Sequence, residues 1–357
     1  IGRGTWIYPV QPSIKLVGDT IEFCAAAAPK YSPVSVCGYH IRESGANPVQ
    51  EMAYAFCIAR AYADEAIKRG LGIDEFAGRL SFNFNIFGNI FEQVAKFRAA
   101  RGLWAKIMCE QYGAKDPGSM WMRMIAGGGG GGLTFEQPEV NIVRGAYYAL
   151  ISALSGAQTM ALCCFDEAYT IPSEYAQRIS LRTMQLLTEE MGLADTVDPL
   201  AGSYYVETLT NQMRQKMEQT MAEVDRQGGI VKLVEDGAVQ SQVSAQAYAM
   251  QKDIESGKFR KVGVNCYRVR EEEEHEVQIH PYSEADTQMQ IDGLNRIRLE
   301  RDNANVKAAL ARLATDARAG RNVMPAIMDA VKAYASVGEL TRELAGVYGR
   351  YQEPIRF

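Results

Sequence analysis

The chemical capacity of this chain is concentrated in one histidine, two arginines, a run of glycines and an acidic pair. His40 lies near the end of the apolar run VSVCGYHI (34–41). In parallel α/β folds ligands bind at the C-terminal edge of the sheet, where a histidine can donate to a carbonyl or exchange a proton. The same position also suits a histidine satisfied by loop main chain. Arg79 and Ser81 stand in DEFAGRLSF, at the opening of the next apolar run. Together they can hold a phosphate or carboxylate; alternatively Arg79 pairs with Asp74 or Glu75 at the surface. Six glycines, 127–132, follow a third apolar run and would let main chain approach a ligand closely. They match neither GxGxxG nor a Walker loop, since no GK[ST] follows. Asp166-Glu167 follows a fourth run, where a carboxylate can bind a ribose hydroxyl, act as a base or cap the next segment. Arg3 can grip a substrate carboxylate or be an ordinary terminal charge.

These residues need a scaffold, and the apolar pattern predicts one. The runs 34–41, 80–87, 120–126 and 159–165 are short and apolar on both faces, as parallel strands buried on both sides are. Helices are expected between them: 47–70 with Asn47 as cap and Pro48 in the first turn, 91–112, 137–155, and from after Pro172 to about 191. A helix over 13–28 precedes the first strand. The spacing of about 40 residues fits right-handed βαβ units. Four such units do not close a barrel, so the pattern allows an open doubly wound sheet or half of a (β/α)8 barrel. After about residue 195 the pattern turns helical: 206–226, 230–256 and 283–351, the last broken near 318–322 and 336–338. KVGVNCYRV and HEVQIHPY read as extended segments around the acidic run 271–274, itself a solvated loop.

Composition narrows the partners. A net charge of −5 with no dominant basic stretch argues against nucleic acid. No apolar run reaches the roughly 18 residues of a membrane span, and the start has no signal-peptide pattern. The chain begins with Ile1, as a processed protein or a fragment would. The seven cysteines, an odd number without CxxC, read as buried reduced thiols of a cytoplasmic protein. Three histidines make a His-rich metal site improbable, and no metal ligand is assigned.

In this order, RGTWIYPVQPS, SVCGYHIRESG, IDEFAGRLSF, AKFRAARGLWAKIM, LTFEQPEVNIVR, FDEAYTIPSEYAQRISLRT and DTVDPLAGSYYVE resemble the large-subunit barrel of the cobalamin-dependent acyl-CoA mutases, the methylmalonyl-CoA mutase family. VQIHPY and the helical end resemble the segment after the barrel, so the resemblance covers essentially the whole chain. It implies an α/β fold: the C-terminal half of a (β/α)8 TIM barrel in residues 1–200, then a mainly helical extension over 201–357. The expectation is a chain that starts midway through the barrel, lacks the early CoA contacts and is inactive alone.

The resemblance further implies an isomerase that rearranges a carbon skeleton through an adenosyl radical, with adenosylcobalamin as cofactor. The chain shows no DxHxxG motif, so the cobalt ligand would come from another domain or a small cobalamin-binding subunit. Homo- or heterodimers of large subunits are implied as well. Residue by residue, His40 matches the histidine that bonds the thioester carbonyl, and Tyr39 beside it matches the same site. Arg3 matches the arginine that holds the substrate's free carboxylate, and Arg79 and Ser81 match CoA contacts. Glu43 and Glu167 match positions near cobalamin and its adenosyl ribose, and Gly130 matches a cofactor-contacting glycine. The imidazole of His40 and the two guanidinium groups of Arg3 and Arg79 are expected to converge at one mouth. Because relatives acting on monoacids carry Gln in its place, Arg3 favours a dicarboxylic acyl-CoA such as methylmalonyl-CoA. One departure stands out: where the family has a segment like HxQTxGxxLT, this chain has glycines, and MALCC replaces a polar LHTN. The alternatives are a mutase for another branched acyl-CoA and a non-catalytic structural subunit.

Overall fold

The computed structural model describes residues 6–270 and 279–354; Arg3, the acidic run 271–274 and the start of HEVQIHPY lie outside the described residues. Helix α1 (Val10–Ala27) leads to β1 (Ser35–Cys37), a short α2 (Tyr39–Glu43) and α3 (Pro48–Lys68). The start of α3 is the one expected. Asn47 Oδ1 accepts from Val49 N at 3.0 Å and Gln50 N at 2.9 Å, and Gln50 Oε1 accepts from Asn47 N at 3.0 Å. A short α4 (Ile73–Phe76) precedes β2 (Ser81–Asn85) and α5 (Ile90–Lys106), which runs on into a π-turn. Then come a short α6 (Pro117–Met120), β3 (Met124–Gly128), α7 (Val140–Leu154), β4 (Thr159–Leu162) and α8 (Glu174–Glu189).

The strands are shorter than the apolar runs. VSVCGYHI supplies only three strand residues, because the chain turns at Gly38 into α2; His40 is therefore on a helix beyond the strand end. MWMRMIA contributes its second half, and β3 continues into Gly127 and Gly128, whose main chain stays in the ladder opposite Ala161 and Leu162.

All four strands are parallel in the order β1-β2-β3-β4. That order bears on the choice between the two architectures. A doubly wound sheet reverses its strand order at a switch point and takes helices on both faces. An unreversed order with right-handed crossovers puts every helix on one face, as in a (β/α) barrel. The burial agrees. Val36, Phe82, Phe84, Met124 and Ala126 are buried. Phe82 stacks on Phe84 at 5.6 Å and meets Trp104 of α5 edge-on at 4.9 Å, with Phe56 of α3 5.8 Å away. The alternate residues Ser35, Cys37, Ser81, Asn83, Thr159 and Ala161 are exposed or half-buried, a face of small and polar side chains. The fold is α/β, and its four singly wound strands are consistent with part of a TIM barrel followed by helices.

The helical region continues the same core. Helix α9 (Tyr204–Arg226) buries Val206, Met213, Met217, Met221 and Val224 against α3 and α5. The change of pattern near residue 200 is thus not a break in packing. The single helix expected over 230–256 is two, α10 (Ile230–Glu235) and α11 (Ala238–Glu255), because Gly237 adopts φ +73°. KVGVNCYRV folds as a turn closed by one bridge between Val262 and Cys266. Beyond it lie α12 (Glu284–Glu300), α13 (Asn303–Arg318), α14 (Met324–Lys332) and α15 (Val337–Tyr348). The break before α13 was not expected; Asp302 makes it by accepting from Ala304 N and Asn305 N at 2.9 and 3.1 Å. Leu313, Ala317, Val323, Ala326 and Leu344 form a small second core beside Tyr8 and Leu16.

Candidate active site

The C-terminal edge of the sheet gathers five of the candidate residues. Tyr39, His40 and Glu43 share α2, and the rings of Tyr39 and His40 meet edge-on at 5.5 Å. Tyr39 reaches across the sheet: its hydroxyl lies 4.0 Å from Cys163 Sγ, just past β4. It can do so because β3 has no side chain beneath it. A Cβ on Gly127 would come within 2.4 Å of the Tyr39 ring. The next glycines are equally filled: a Cβ on Gly131 would meet Glu43 Oε2 at 2.8 Å, and one on Gly132 would meet the Tyr148 hydroxyl at 2.4 Å. Gly129, at φ +39°, sits against Ile86 O. The glycine run is therefore a rigidly packed floor. Gly130 is the place with room, its nearest neighbours Glu43 Oε2 and the Tyr39 hydroxyl both at 3.8 Å.

Burial sets the electrostatics here. It pushes the Tyr39 phenol well up, with Cys163 and Glu43 adding to the effect. It holds the Cys163 thiol up at about 12, reinforced by the Glu167 carboxylate beside it. Tyr148 is likewise raised to about 12, chiefly by burial, although Arg144 pulls it down. The floor is thus lined by neutral O–H and S–H groups at neutral pH, with the side chains of Glu43 and Glu167 beside them. Arg42 turns inward, stacking over Phe87 at 4.0 Å and donating to Ala46 O.

The acidic pair splits. Glu167 is exposed, and its Oε1 accepts from Cys164 N at 2.9 Å. Asp166 is buried and accepts from Ser173 N at 2.9 Å, so it shapes the turn before α8. None of the seven cysteines forms a disulfide, but only Cys24, Cys57 and Cys164 are buried; Cys109, at the foot of α5, is exposed.

Arg79 and Ser81 lie at the other end of the sheet. Ser81 is the first residue of β2, paired with Ser35, whereas Asn85 ends the strand beside α2. At about 3.3 Å per residue the strand separates its ends by roughly 13 Å. Ser32 Oγ donates to Arg79 O at 2.7 Å and lies 3.3 Å from Ser81 Oγ. Asp74 accepts from Lys115 N, and Glu75 from Gly72 N, so both carboxylates have main-chain donors. The expected convergence at one mouth does not hold for His40 and Arg79, because strand direction puts them at opposite edges. Arg3, the third member, lies outside the described residues.

Three residues that sequence reasoning missed stand directly under α2. Asn85 donates through Nδ2 to Glu43 Oε1. Glu51 and Lys96 form a fully buried ion pair at 2.8 Å, and both bind Asn85 main chain. Burial lowers the Lys96 pKa, against the pull of Glu51. The signal available was weak: Lys96 occupies a core position of α5 between Ala95 and Phe97. Among the described residues no group of three or more His, Cys, Asp or Glu side chains is arranged to hold a metal, and no helix is long and apolar enough to cross a membrane.

A singly wound parallel sheet with polar groups massed at its C-terminal edge is the arrangement of a (β/α)-type ligand-binding protein. Comparison with known proteins narrows this. The family model described as methylmalonyl-CoA mutase matches residues 1–350, and the chain belongs to that family. It is 42% identical to the 2-hydroxyisobutanoyl-CoA mutase large subunit of Aquincola tertiaricarbonis, over 98% of this chain and 62% of that protein. It is 40% identical to a methylmalonyl-CoA mutase of Cereibacter sphaeroides, over 99% of this chain and 50% of the other, and 38% identical to that of Escherichia coli, over 99% and 49%. The chain spans about half to three-fifths of the length of these curated relatives.

Proposed function

We propose that this chain is the acyl-CoA-binding part of an adenosylcobalamin-dependent mutase, an isomerase that interconverts a branched dicarboxylic acyl-CoA and its linear isomer, methylmalonyl-CoA and succinyl-CoA first among them. The observation that carries the reading is the gathering of Tyr39, His40, Glu43, Gly130 and Glu167 at one sheet edge in a chain of this family. His40 donates to the thioester carbonyl, and Tyr39 closes the floor beside it. Arg79 and Ser81 contact the CoA arm at the opposite edge, and the small polar face between them is the path of that arm. Arg3 holds the second carboxylate of the acyl group.

The edge also suits the cofactor. A rim without side chains, open at Gly130, lets a flat macrocycle settle on main chain, and Glu43 and Glu167 are the residues that would hold its adenosyl ribose. Bound there, adenosylcobalamin supplies the radical chemistry of the rearrangement. This chain's residues bind, orient and exclude water. The cobalt ligand belongs to another domain or a small subunit, with large subunits paired as homo- or heterodimers. Residues 1–200 form the barrel part and 201–357 the extension. Seven cysteines without a disulfide accord with a cytoplasmic location.

One observation favours a second reading of the substrate: the relative at 42% identity is named for 2-hydroxyisobutanoyl-CoA, which has no second carboxylate. The assembled mutase containing this chain, given adenosylcobalamin and a panel of acyl-CoAs, separates the readings. Methylmalonyl-CoA is expected to turn over fastest. Turnover of 2-hydroxyisobutanoyl-CoA alone would overturn the substrate, and turnover of none would favour a structural subunit.

A further inference from the structure

The buried ion pair Glu51–Lys96 sits where the β-ladder has a hole. Along β2 the odd-numbered N–H groups face β1: Ser81 N donates to Val34 O, and the register runs on through Val36 and Cys37. The next acceptor in that series would be Gly38 O. It is already taken, because Arg42 N donates to it at 3.0 Å as α2 begins. Turning the chain out of the sheet at Gly38 therefore leaves Asn85 N without a strand partner, deep in the core. Glu51 Oε1 takes its place at 2.7 Å. Gly38 leaves the room: a Cβ there would lie 3.2 Å from Glu51 Cγ.

The remaining groups close the arrangement. Glu51 Oε2 accepts from Lys96 Nζ at 2.8 Å, and Lys96 Nζ donates also to Asn85 O at 2.6 Å. Both main-chain groups of Asn85 are thus bound by charged side chains, and Glu51 and Lys96 are 0% exposed. With its backbone held, Asn85 accepts from Ile86 N through Oδ1 at 2.8 Å and donates to Glu43 through Nδ2. A buried ion pair is no more stabilising than well-packed apolar side chains, so its use here calls for a purpose other than stability.

We propose that Glu51 and Lys96 are positioning residues: they replace the missing strand partner of β2 and so fix α2, through Asn85 and Glu43, at the sheet edge. The importance of α2 to turnover rests on the reading above, but its positioning does not, and amide exchange on this chain measures it without cofactor or substrate. Two double variants, both neutral at these positions, make the test. E51Q/K96M keeps a carbonyl acceptor for Asn85 N; E51L/K96M does not. Both are expected to melt close to the parent. In E51L/K96M the amides of residues 38–46 are expected to exchange roughly tenfold faster, and in E51Q/K96M within about twofold of the parent. Asn85→Ala, which cuts the tie to Glu43 and the Oδ1 bond to Ile86 N but leaves the main-chain bonds to Glu51 and Lys96, should loosen the same segment and serves alone if E51L/K96M does not fold. Parent-like protection in E51L/K96M, or in Asn85→Ala where that double variant does not fold, overturns the proposal, as does equal loosening in both double variants. In the assembled mutase, the same pair should differ in kcat, with E51Q/K96M recovering most of what E51L/K96M loses. If exchange behaves as stated while no variant or parent turns over acyl-CoA, the positioning stands and the mutase reading falls.

Discussion

The two ends of the sheet are built to different standards. At the C-terminal edge a helix breaks out of the strand direction, five glycines admit side chains that any Cβ would displace, and a buried ion pair mends the ladder. At the N-terminal edge Ser32, Arg79 and Ser81 form half-buried or exposed hydrogen bonds of an ordinary kind. Costly local arrangements concentrate where a reaction needs fixed geometry, whereas a long flexible ligand is held well enough by adaptable surface contacts. On this account the first edge governs kcat and the second governs KM.

Substitutions at the two edges should therefore part company. His40→Ala in the assembled mutase is expected to lower kcat by about 100-fold or more with the melting temperature little changed. Leaving a charge unpaired tests the cost of the mended ladder: Glu51→Leu alone strands Lys96 and should destabilise the chain by about 3–5 kcal/mol in denaturant unfolding. Gly127→Ala drives a methyl into the Tyr39 ring and is expected to cost about 1–3 kcal/mol, with a loss of kcat larger than that of stability. Arg79→Ala should raise KM for the acyl-CoA roughly tenfold with a much smaller change in kcat, and the reverse split would erase the contrast between the edges. The smallest effect is alkaline. Burial raises Cys57 and Cys163 from 9.0 to about 12, so the folded state keeps protons that the unfolded state releases. Their contribution is whole below pH 9 and is lost as pH climbs towards 12; Cys→Ser at both should flatten that limb of the stability curve.

Much of this was legible in the sequence, and the exceptions have physical causes. Asn47-Pro48 announced α3 because a cap and a fixed φ act locally. Four apolar runs announced the strands, but their lengths misled. Gly38 ends β1 by diverting the chain, and the group that stands in for the lost strand, Glu51, comes from the next long helix, which local propensity does not reveal. Strand direction, which sends His40 and Arg79 to opposite edges, follows only once the order β1-β2-β3-β4 is known. Asp166 and Glu167 are adjacent in sequence yet one caps a turn and the other faces outward, a difference set by the course of residues 164–173. Lys96 was unreadable as a buried charge because its partner lies 45 residues back, on α3. The glycine run read as main chain open to a ligand; packed beneath Tyr39, Glu43 and Tyr148, it is also what allows those side chains to meet.

The kinetics of one pair of proteins test the role of His40 at the C-terminal edge most directly. Conversion of methylmalonyl-CoA to succinyl-CoA, followed with adenosylcobalamin in the assembled mutase, should proceed with the parent chain. With His40→Ala it should fall about 100-fold, while Glu51, Asn85 and the melting behaviour are left intact. Equal turnover from the two proteins would contradict it.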